Sequence, residues 1–69
     1  MKHSFEILVD LIGENNKLWV ELITGVAICL VDVADYKNKI FIAKYTPCIP
    51  NTKSYSISYN KIKCISGGT

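Results

Sequence analysis

The chain has 69 residues, 49% of them apolar and 20% charged, with a formal net charge of +2. That length holds one small domain and excludes two, and so apolar a composition excludes intrinsic disorder, because burial can offset much of the ordering entropy. All eight basic residues are lysine, so the planar fork that reads guanine edges and phosphate is absent and duplex DNA is not an expected partner.

The first predicted element is a helix over about residues 4–13. Phe5, Leu8, Val9 and Ile12 fall on one helical face, Ser4 suits the cap, and Gly13 suits a left-handed end. Phe5, Ile7, Val9 and Leu11 also alternate, so a strand turning at 13–16 is the other reading. From Leu18 the period switches to two. Strands are predicted over about 17–24, 26–34, 39–45, 54–59 and 62–65. They are separated by Thr24-Gly25, by the turn Asp35-Tyr36-Lys37-Asn38, and by a loop holding Pro47 and Pro50, which no central ladder accommodates. The second strand is apolar on both faces as far as Asp32, which suits a central or wrapped strand. Ser66 to Thr69 reads as a loose tail. The fold class is therefore mainly β: a short N-terminal helix and a five-stranded, strongly bent antiparallel small barrel, as one domain over 1–69.

Several chemistries are unsupported. The apolar stretch Leu22 to Val31 is broken by Thr24 and Gly25 and falls short of the roughly 20 residues of a membrane helix. His3, Glu6 and Asp10 spoil a signal peptide. A cytoplasmic location and no membrane partner are expected. Cys29, Cys48 and Cys64 are odd in number and lack Cys-x-x-Cys spacing, so free thiols are expected, with Cys29 in the core and Cys48 as the one candidate reactive thiol. His3 is the only histidine, which leaves no zinc set and no Ser-His-Asp set. Asp32 and Asp35 lie three apart and by strict alternation face opposite sides of a strand. No Gly-rich phosphate loop is present. The expectation is a non-enzyme with no catalytic residues, no metal and no cofactor. Isoleucine, lysine and asparagine supply a third of the chain, a bias that suits an AT-rich genome such as that of a low-GC bacterium or its phage.

Two segments carry a family resemblance over about residues 5–65. Leu18-Trp-Val-Glu-Leu-Ile-Thr-Gly25, followed by Asp35 and Asn38, resembles the first motif of the Sm-like family (Sm, LSm and Hfq proteins). Ile57-Ser-Tyr-Asn-Lys-Ile-Lys-Cys-Ile65 is similar to the second in the spacing of Ile57, Ile62 and Ile65. Where that family usually has Arg-Gly, this chain has Ser58-Tyr59, and Leu30 stands near the small residue at which the second strand usually bends. The resemblance implies a homo-oligomeric ring of five to seven copies, the fourth strand of one copy pairing with the fifth of the next, with Tyr55, Ile57, Tyr59, Ile62 and Ile65 at the interface. The uncharged strand Tyr55–Tyr59 is in any case an edge that invites pairing. The resemblance further implies single-stranded RNA or a nucleotide as ligand. Tyr36 would stack on a base, Asn38 would read its edge and Asp35 would brace the loop. Ser58, Tyr59 and Asn60 would replace the missing Arg-Gly, and Lys37 and Lys61 would face phosphates. The alternative is a phage-encoded anti-defence protein that sequesters a nucleotide signal or blocks a host protein.

Overall fold

The computed structural model describes residues 4–66; His3 and the predicted tail residues Gly67, Gly68 and Thr69 lie outside them. Helix α1 (Phe5–Asn15) starts where Ser4 Oγ accepts the Ile7 amide hydrogen at 3.3 Å. Phe5, Leu8 and Ile12 are its buried stripe. The helix does not stop at Gly13 as expected from sequence, nor does the segment form a hairpin. It ends at Asn16, whose φ of 66° is left-handed. Asparagine tolerates that conformation, and Asn15 Nδ2 donates a side-chain hydrogen bond back to the Leu11 carbonyl at 3.0 Å in the last turn.

Five strands follow: β1 (Leu18–Leu22), β2 (Ala27–Asp35), β3 (Ile40–Lys44), β4 (Tyr55–Ser58) and β5 (Ile62–Ile65). They form one antiparallel sheet in the order β4-β3-β2-β1-β5. Chain connectivity forces this sheet to curl. Laid flat, five strands would hold the outer two about 19 Å apart. Yet β4 and β5 are joined only by the three-residue 3-10 turn Tyr59–Lys61, which spans about 6 Å. The bend is taken up by register shifts in β2, between Leu30 and Asp32 and between Val33 and Asp35, because an extra residue on one strand increases its twist. Leu30 itself is fully buried; the bend comes from these bulges and not from a small residue there. The bulges also overturn the alternation argument for the aspartates. Asp32 pairs opposite Ile42 and Asp35 opposite Ile40, so both lie on one face of the sheet. β4 and β5 are not paired to each other, so the small barrel is curled but open.

The core sits between α1 and the concave face. Phe5, Leu8 and Ile12 meet Leu18, Val20, Ile28, Leu30, Phe41, Ala43 and Ile62. Cys29 is also fully buried, on the other face between its cross-strand neighbours Trp19 and Lys44. Burial pushes its thiol pKa up, so it stays protonated and packs as a small apolar group. Cys48 is exposed, Cys64 half-buried, and all three are free thiols. Among the described residues no helix is long and apolar enough to cross a membrane.

Candidate functional site

At one end of the curled sheet, the β2–β3 turn and the turn between β4 and β5 converge on the first residue of α1. The ring of Phe5 meets Tyr36 edge-on at 6.3 Å and 86°, and Tyr59 edge-on at 6.0 Å and 84°. It lies tilted against Phe41 at 5.2 Å, which roots the group in the core. Tyr36 remains 65% exposed, so most of a phenol ring faces solvent while its edge contact holds it in place. Lys39 places Nζ 5.7 Å from the centroid of the Tyr59 ring, a cation–π contact. Its carbonyl accepts the Tyr59 amide hydrogen at 2.8 Å. Lys39 does so with a φ of 57°, a conformation that costs a residue with a side chain roughly 1–3 kcal/mol.

The turn before it is braced from within. Asp35 Oδ1 accepts the Asn38 amide hydrogen at 3.2 Å, and Oδ2 accepts from Asn38 Nδ2 at 2.7 Å. The Asn38 side chain, and then its backbone N–H, hold the Asp35 carboxyl below the usual carboxylate range. The brace is thus present above the ordinary carboxylate pKa and lost as pH falls through the depressed one. With Nδ2 committed, Asn38 keeps Oδ1 as an acceptor among the described residues. Ser58 Oγ accepts the Asn60 amide hydrogen at 3.4 Å and caps the 3-10 turn. Lys37, Asn60 and Lys61 are exposed.

The structure therefore brings Tyr36 and Tyr59 to one cluster and couples Asp35 to Asn38. No described contact ties Lys37 or Lys61 to the rings. Tyr55, Ile57 and Ile65 are half-buried against the core, whereas Ile62 is wholly inside it, so β5 can meet another chain through Ile65 and its backbone but not through the Ile62 side chain. Two features escaped the sequence reading. Phe5, read as a core residue, is the link between the two turns. The lysines are segregated along the chain: six of eight lie after Asp35 and none of the six acids does. That signal is visible in the sequence as a run of chain without a carboxylate. Among the described residues no three His, Cys, Asp or Glu side chains gather to hold a metal. Comparisons with family models, with curated proteins and with solved structures find no match to this chain.

Proposed function

We propose that the chain is a non-enzymatic, ring-forming Sm-like subunit that binds single-stranded RNA or a nucleotide at the Phe5–Tyr36–Tyr59 cluster. The observation that carries this reading is the cluster itself. Two turns distant in sequence present aromatic rings around one buried anchor, at the positions the resemblance assigns to ligand. A base stacked on Tyr36 would lie beside the asparagine acceptor Oδ1, which suits an amino or imino donor on a base edge. The backbone strain at Lys39 is of the kind found where a turn is built for binding. Lysines concentrated after Asp35 suit the phosphates. Assembly is supported separately: β4 and β5, the strands that the resemblance pairs between neighbours, are the two outer strands of the sheet formed by the described residues.

The experiment is a binding scan with oligo-U, oligo-A and cyclic nucleotides on the protein and on Tyr36→Ala. An exposed tyrosine is removed at little cost to folding. Affinity is expected to fall by roughly 1–3 kcal/mol. Unchanged affinity in Tyr36→Ala removes the site, and absence of any ligand in the scan removes the function.

A further inference from the structure

We infer that the opposite end of the β3–β4 hairpin is a second base-stacking platform, centred on Tyr45, and that the ligand is an oligonucleotide long enough to touch both ends. This rests on the function proposed above and deepens it. Tyr45 is 46% exposed, yet its ring is held against Tyr55 at 5.0 Å and 72°. Lys53 Nζ stands 5.5 Å over the Tyr55 ring from the other strand-end, so Tyr55 is enclosed and Tyr45 offers the free surface. The loop beyond is pinned: the Thr52 hydroxyl lies 2.9 Å from the Thr46 carbonyl oxygen and 2.6 Å from that of Ile49. A ring held this way loses little freedom when a base stacks on it. The charge also fits a phosphodiester strand. Lys53 stands beside the Tyr45–Tyr55 pair, and no carboxylate side chain occurs after Asp35. A base finds a π-face on the tyrosine and its phosphates find lysine, the pairing that sequence-tolerant single-strand binders use. Five residues of β3 separate Tyr45 from the first cluster, about 17 Å of strand and farther than one nucleotide reaches.

The test measures binding of adenylate and uridylate from mononucleotide to octanucleotide, with deoxy-octanucleotides as a parallel arm, to the protein and to Tyr36→Ala, Tyr45→Ala and Tyr45→Phe. Tyr45→Ala is expected to weaken the octanucleotide roughly 5- to 100-fold and to leave the mononucleotide unchanged, while Tyr45→Phe retains most of the affinity because the ring remains. Circular dichroism verifies that each variant is folded. If Tyr45→Ala binds octanucleotide like the parent while Tyr36→Ala does not, the second platform is wrong and the first site stands. If Tyr45→Ala alone is impaired, the platform stands and the first site is misplaced. If no oligonucleotide binds the parent, both fall.

Discussion

Phe41→Ala is expected to destabilise the domain by about 3–5 kcal/mol, the cost of truncating a fully enclosed phenylalanine. Phe41 has no exposed surface, lies on the third strand at the centre of the core, and supports the Phe5 ring at 5.2 Å. A domain of this length has a total stability of only about 3–10 kcal/mol, so one such cavity consumes most of it. The thermal midpoint by circular dichroism should drop by about 12–40 °C, since roughly 1 kcal/mol corresponds to 4–8 °C at this size. A drop under about 5 °C would mean that the core is organised around something other than Phe41. The same substitution should also disturb the aromatic cluster, because Phe5 would lose the partner that fixes it beneath Tyr36 and Tyr59.

The second large effect is expected at the β4 edge. The Tyr59 amide donates to the Lys39 carbonyl, and Ile40 pairs opposite Ser58 and Ile42 opposite Ser56. In an antiparallel ladder this makes Phe41–Ile57 and Ala43–Tyr55 the pairs that exchange hydrogen bonds. The Ser56 and Ser58 backbones therefore point away from β3, toward the open edge. By the same rule, the Ser66 amide on the Trp19 carbonyl turns the Ile65 backbone outward on β5. Ser56→Pro removes an outward donor and no ladder bond inside the subunit, a kind of position where an edge strand accepts proline. Sedimentation should show the assembly dissociating while the circular dichroism spectrum stays folded. An unchanged assembly would show that β4 is not the joining strand.

How much was legible follows from where each feature is encoded. The Ser4 cap, the helical face of Phe5, Leu8 and Ile12, and the switch to alternation at Leu18 are local patterns, and each has its counterpart in the structure. Gly13 misled because glycine permits a left-handed end without demanding one, and Asn16 provides that end instead. The β2 bulges were hidden because a bulge is a property of two strands in register, and alternation along one strand cannot reveal it. Alternation alone therefore places Asp32 and Asp35 on opposite faces, whereas the register places them on one. The role of Phe5 was hidden for a related reason. Its periodicity marks it as buried, but only the curl of the sheet delivers Tyr36 and Tyr59 to it from two separate turns. The segregation of lysine from carboxylate was in plain view in the sequence, and its meaning depends on which residues share a surface.

A small curled sheet whose two outer strands have no partner among the described residues is expected to complete itself with copies of its own chain. Native mass spectrometry of the purified protein tests it most directly, reading subunit number and any retained ligand in one spectrum. A single closed species of five to seven copies is expected; a monomer persisting at micromolar concentration would rule out self-completion.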